Sequence, residues 1–128
     1  MKAVNSKPVN VKELSCKEKL RAAGDSLYVI GGKWKLPVLI ALGQGHKRFN
    51  DLQRTIAGIS SKVLSSELKE LEINGFIVRK VDGSATPVLV EYELTDYSGS
   101  LKEVVYALIS WGAEHRARIK RSRLKGES

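Results

Sequence analysis

Apolar positions along the chain follow a helical rhythm, then a two-residue alternation, then a helical rhythm again. Residues 1–14 are polar and aperiodic and read as a flexible N-terminal arm. Cys16, Leu20, Ala23, Leu27 and Ile30 are then spaced by four, three, four and three, which is one face of a helix. Ser15 offers its N-cap, Glu18 completes a capping box, and Gly31-Gly32 ends it. A second helix is expected over residues 33–42, with Pro37 near the first turn, where a missing N–H removes little, and Gly43 as the stop. An extended piece at 47–49 leads to a third helix capped by Asn50 and carrying Leu52 and Ile56. Ala57-Gly58-Ile59 makes a tight turn, and Ser60 caps a fourth helix running to about residue 74, with Gly75 as its left-handed stop. Ile59 and Leu64 flank that cap as a hydrophobic staple.

Beyond Gly75 the period becomes two. Residues 76–81 read as one strand; Val88, Val90, Tyr92 and Leu94, alternating with Leu89, Glu91 and Glu93, read as a second. The turn at 82–87 joins them into a hairpin. Thr95 is expected to cap a last helix reaching residue 124, with apolar positions at Leu101, Val104, Leu108 and Trp111. Helix, short turn, helix and hairpin in this order predict a mostly α fold with a small β-hairpin wing. This is a winged helix-turn-helix with additional N- and C-terminal dimerisation helices. The organisation is an arm at 1–14, a DNA-binding domain with dimerisation helices at 15–112, and a basic helix extension and tail at 113–128.

Composition narrows the function classes. A chain of 128 residues points to one domain. No apolar run approaches the roughly 18–20 residues of a spanning helix, and the N-terminus lacks an apolar signal-peptide core, so a cytoplasmic protein with no membrane partner is expected. A lone cysteine fits a reducing compartment. Gly31-Gly32-Lys33 lacks the first glycine and the hydroxyl residue of a phosphate loop, Leu27 and Trp34 standing in their places. His46 and His115 have no ligand-like spacing, and the aspartates are scattered. No catalytic residue, metal site or cofactor is expected, and the chain does not read as an enzyme.

The net charge of +8 suggests a polyanionic partner, with a solvated basic surface as the plain alternative. If Leu64, Leu68 and Leu71 face the core, Lys62, Ser65, Ser66 and Lys69 project from the opposite side of the fourth helix. Lysines can pair with phosphates or guanine edges, and serines can approach bases without steric conflict. Ser60 and Ser61 lie at that helix's N-terminus, where free N–H groups suit a phosphate. Lys47 and Arg48 precede the third helix, and Arg79 and Lys80 lie on the first wing strand, all placed for backbone contacts with double-stranded DNA. The stripes Leu20 and Leu27 on the first helix, and Leu101, Val104, Leu108 and Trp111 on the last, are candidate homodimer surfaces. Residues 116–125 carry six cations and no acid, near DNA or solvated. Cys16 has two readings: a small buried hydrophobe opening the apolar stripe, or a redox sensor. The second rests on its place in the first turn of a helix, beside Lys17 and Lys19.

The runs VIGGKWKLPVLIAL (29–42), KRFNDLQRTIAGISSKVLSSELKELEINGFIVRK (47–80) and VEYELTDYSGSL (90–101) resemble the HxlR-type transcriptional regulators over roughly residues 15–112. The resemblance implies a winged-helix fold, homodimerisation through terminal helices and binding to pseudo-palindromic operators. In it Gly31, Gly32, Lys33 and Trp34 match the turn into the second helix, Arg48-Phe49-Asn50 the start of the third, and Gly58-Ile59-Ser60 the turn into the recognition helix. Cys16 falls where many members carry a cysteine, which some use to sense quinones, aldehydes or oxidants. The chain departs from the family pattern at Lys17, Leu89 and Ser66-Glu67. The operator, the sign of regulation and any small-molecule effector do not transfer. Two other classes compete with a DNA-binding regulator: a winged helix kept for protein contacts, and an RNA binder, which would need an aromatic stacking platform.

Overall fold

The computed structural model describes residues 8–126. The first seven residues of the expected arm and the last two of the expected tail lie outside them. The chain divides into two compact units, one ending at Gly32 and the other beginning at Lys33.

In the first unit, Val11–Glu13 forms a single 3-10 turn, closed by Asn10 Oδ1 accepting from the Lys12 N–H at 3.1 Å. The aperiodic pattern does not announce this turn, which rests on that side chain and on two backbone bonds, Glu13 N–H to Asn10 O and Leu14 N–H to Val11 O, each 3.1 Å. Helix α1, Cys16–Ile30, begins with a complete capping box. Ser15 Oγ accepts the Glu18 N–H at 3.1 Å, and Glu18 Oε1 accepts the Ser15 N–H at 2.9 Å. Only Ile30 is buried along the helix; Leu20 and Leu27 are 70% and 68% exposed. Gly31 ends it by donating to Leu27 O at 2.8 Å, and a Cβ there would fall 2.1 Å from that oxygen, so no other residue fits.

The second unit holds the core. Helix α2, Lys35–Gly43, buries Val38, Leu39, Ala41 and Leu42; α3, Phe49–Thr55, buries Leu52; α4, Ser61–Ile73, buries Leu64, Leu68 and Leu71. Ile56 and Ile59, between α3 and α4, and Phe76 and Ile77, from the chain entering the hairpin, complete the cluster. Burying each of these side chains other than Ala41 stabilises the fold by about 1.5–3 kcal/mol. Strands β1, Ile77–Asp82, and β2, Leu89–Leu94, pair antiparallel with Ile77 opposite Leu94 and Asp82 opposite Leu89. The last helix, α5, spans Lys102–Leu124 without interruption and contains no buried residue. None of the helices among the described residues is long and apolar enough to cross a membrane.

Four details differ from the pattern-based reading, each for a tertiary or backbone reason. Helix α2 starts at Lys35, because Gly32 is in the left-handed region (φ 85°) and Lys33-Trp34 complete the turn. Its stop is Gly45 (φ 97°) and not Gly43, which stays helical. Asn50 does not cap α3: Arg48 holds the cap position without a side-chain bond, just after Lys47 O accepts the Tyr92 N–H at 2.8 Å. The extended piece before α3 is thereby tied to β2. Thr95 does not open α5 either. Its hydroxyl donates to Gly75 O at 2.6 Å and accepts the Ser98 N–H at 3.3 Å, so a 3-10 turn, Tyr97–Leu101, precedes the α-helix. Thr95 thus joins the end of α4 to the end of the hairpin.

Candidate nucleic-acid interface

Helix α4 is built two-sided. Ser60 Oγ caps it by accepting the Val63 N–H at 3.1 Å, and Asn74 with Gly75 (φ 83°) closes it. One side is pressed into the core: Leu64, Leu68 and Leu71 are 0%, 1% and 0% exposed. Beside them, Lys35 of α2 reaches α4 with its Nζ 2.9 Å from Glu67 Oε1 and 3.3 Å from Glu70 Oε2. The Glu67 contact comes first among the causes that hold the lysine's pKa above its ordinary value, against an opposing desolvation. Its structural effect is a charged clamp on the rear of α4, added to the leucine packing.

The opposite side carries Lys62, Ser65, Ser66 and Lys69, all exposed. At 3.6 residues per turn these four lie within one broad stripe facing away from the leucines. The stripe continues to Ile73, which is 74% exposed. The sequence analysis named only Lys62, Ser65, Ser66 and Lys69 on this face. Ile73 belongs to it, four residues beyond Lys69, and its signal is that same spacing.

The flanking residues have distinct roles. Ser61 Oγ donates to Gln53 Oε1 of α3 at 3.2 Å, so it joins the two helices of the motif as well as standing at the N-terminus of α4. Lys47 is exposed, its carbonyl engaged by Tyr92. Arg48 lies 3.6 Å from Glu91 Oε2. On the wing, Arg79 is exposed opposite Tyr92, whereas Lys80 is held by Glu93 at 2.5 Å. That contact raises the lysine's pKa and holds the Glu93 carboxyl below its usual range. Arg48 and Lys80 therefore meet any polyanion only in competition with acids of β2, while Lys62, Lys69 and Arg79 form no ion pair among the described residues. Arg54, 74% exposed and 3.7 Å from Asp51 Oδ1, adds a cation that the sequence reading omitted.

The motif turns meet one another. Gly58, in the left-handed region (φ 83°), lies beneath Trp34: a Cβ at Gly58 would sit 3.9 Å from Trp34 Cη2. Lys33 Nζ covers the same indole at 4.9 Å from the ring centroid. The turn before α2 thereby supports the turn that aims α4. Among the described residues no group of three or more His, Cys, Asp or Glu side chains could hold a metal ion. Cys16 is exposed and free.

Residues 29–120 match the family described as HxlR-like helix-turn-helix. The Bacillus subtilis (strain 168) protein YtcD, described as an uncharacterized HTH-type transcriptional regulator, is 40% identical over 94 residues, covering 73% of this chain and 74% of its own. A crystal structure of a putative HTH-type transcriptional regulator ytcD superposes with a TM-score of 0.69 at 42% identity, over 74% of this chain and 96% of that one. The redox regulator HypR in its reduced form gives a TM-score of 0.72 at 34% identity, over 78% and 98% of the two chains. Diamide-treated YodB from B. subtilis gives 0.61 at 31%, over 80% and 95%.

Proposed function

The chain belongs to the HxlR-like helix-turn-helix family and is a transcriptional regulator, and from that footing we propose that it binds duplex DNA as a homodimer, with α4 in the major groove. The observation that carries this reading is the two-sided α4: a leucine back in the core and an exposed front of Lys62, Ser65, Ser66 and Lys69. Short hydroxyls and lysines at the front suit base edges and phosphates. Lys47, Arg48, Arg79 and Lys80 flank it as backbone contacts, and Ser60 and Ser61 offer phosphate positions at its N-terminus. Such a protein works in the cytoplasm, without a cofactor.

The dimer reading is supported by apolar surface that the described residues of one chain leave uncovered. Leu20 and Leu27 on α1, and Val104, Leu108 and Trp111 on α5, are all exposed, with Leu101 half-buried at the start of the second stripe. A second copy would cover them and set two reading helices about one DNA turn, roughly 34–36 Å, apart. The domain division proposed is accordingly an arm at 1–14, a regulator core at 15–112 and a basic extension at 113–128. The boundary at 112 falls inside the continuous α5.

The test is a gel shift on DNA from upstream of the protein's own gene across a salt series. With 6–10 phosphates contacted, affinity drops by roughly 10³–10⁵ between 50 and 200 mM salt. An affinity flat across that range, or no specific shift at all, would return the fold to a protein-contact role.

A second reading concerns regulation. Cys16 is exposed in the first turn of α1, left open by the described residues of a single chain. HypR and YodB, both similar in structure, are described by redox state or diamide treatment. We propose that oxidation of Cys16 disturbs the dimer helices and releases DNA. With a single cysteine in the chain, the oxidised form is a disulfide to a partner subunit or a small thiol. Diamide should weaken wild-type DNA binding and leave Cys16→Ser unchanged; equal weakening of both, or of neither, rejects the sensor.

A further inference from the structure

The ten residues Arg116–Lys125 supply six of the eight net positive charges of the chain, and no acid interrupts them. All but Lys125, the residue just past the helix end, lie in α5. From Ala113 to Lys125 every residue except Ala117 and Ser122 is exposed. Among the described residues none of the six cations forms an ion pair, in contrast to Arg48 before α3 and Lys80 on the wing. The family match ends at Lys120, so half of this cationic run lies beyond it.

We propose that the C-terminal half of α5 is a second DNA contact, gripping the phosphate backbone outside the base pairs that α4 reads. The inference rests on the DNA-binding reading of α4.

The distribution of charge selects the partner. At 3.6 residues per turn, Arg116, Lys120 and Arg123 form one stripe and Arg118, Arg121 and Lys125 another on the opposite side. An interfacial membrane helix needs a continuous apolar face. Here Ile119 and Leu124 lie far apart around the helix, and cations occupy both sides. A lipid surface would engage one stripe and leave the other in water. Duplex DNA presents phosphates at about one charge per 1.7 Å of axis, on two strands. A rod of ten residues, about 15 Å long, can meet phosphates along either stripe. Cations in the last turn also favour the helix dipole, which accounts for Arg121 and Arg123 but not for Arg116 or Arg118. Within each stripe, like charges three and four residues apart repel one another. Phosphates relieve that repulsion.

The test uses the full-length protein and a 40-base-pair duplex of arbitrary sequence, read by fluorescence anisotropy from 50 to 200 mM NaCl. Each lost phosphate contact lowers the slope of log affinity against log salt by about 0.9. The variant Arg118→Gln/Lys120→Gln/Arg121→Gln/Arg123→Gln should lower the slope by about 2 or more and weaken binding at least tenfold at 100 mM, with circular dichroism unchanged. Replacing the three arginines by lysine should keep the slope. A glutamine variant with wild-type slope and affinity overturns the inference. So does one that loses binding only to vesicles containing phosphatidylserine. Lys62→Gln/Lys69→Gln on α4 separates the two levels. If that pair lowers the slope and the α5 set does not, only this inference fails; if neither does, the DNA reading of α4 fails with it.

Discussion

Lys35 sits in the most apolar helix of the chain and spends its charge on two carboxylates of α4. Its side chain is 13% exposed and that of Glu67 is 15%, so removing the amine leaves a poorly hydrated carboxylate behind. Lys35→Ala should therefore cost about 1–3 kcal/mol, the range for leaving a buried hydrogen-bonding group without its partner. A urea melt at pH 7 reads the loss, and a change below about 0.5 kcal/mol would show that the clamp is idle. The pH dependence has a definite sign. Because the folded-state pKa is raised, the contribution is complete below the unfolded lysine value of about 10.4. It disappears only as the pH rises through the still higher folded value. Wild type and variant should thus run parallel from pH 6 to 9 and converge in strong alkali. This clamp was not legible in the sequence, since its partners lie 32 and 35 positions away. Ser15, Glu18, Ser60 and Gly75 were legible because each acts on backbone within a few residues of itself.

The same division between local and distant causes explains which helices the pattern placed well. Helices α1 and α4 begin and end where short-range caps put them. The start of α3 was misplaced because a tertiary bond outweighs the capping tendency of the nearby Asn50, and that of α5 because Thr95, accepting the Ser98 N–H, serves the 3-10 turn ahead of the α-helix. Lys47 O is taken by the wing strand, and the Thr95 hydroxyl by Gly75 O. The α4 cap gives a direct measurement. Ser60→Ala leaves the Val63 N–H without its acceptor and should cost about 1 kcal/mol of stability, while Ser60→Gly costs only a few tenths. Thermal melts of the two variants, run together, check it. If alanine is no worse than glycine, the serine's importance lies outside the fold. On the exposed front, the stripe Lys62, Ser65, Ser66 and Lys69 was readable because it is the complement of the leucine stripe. Ile73 was overlooked because the helix was judged by its polar residues alone.

For the whole molecule, the uncovered apolar stripes of α1 and α5 set the expectation for assembly. Sedimentation at micromolar concentration should give a dimer, and Leu108→Glu, which places a charge on a surface 46% exposed in one chain, should give a folded monomer. A wild-type monomer at that concentration removes the homodimer. The sequence could mark these stripes as apolar but not say that the single chain leaves them open, since exposure depends on where every other element packs. The two-sided α4 has a consequence for how such a regulator changes over evolutionary time. What keeps the helix in place (Leu64, Leu68, Leu71 and Glu67 held by Lys35) shares no residue with the front offered to solvent. Foldability and address are thus written in separate letters of one short word, and a lineage can rewrite the second while leaving the first alone. On the proposed reading of α4 as the DNA-facing helix, duplicated genes acquire new operators through a few substitutions at Lys62, Ser65, Ser66 and Lys69, without passing through an unstable intermediate.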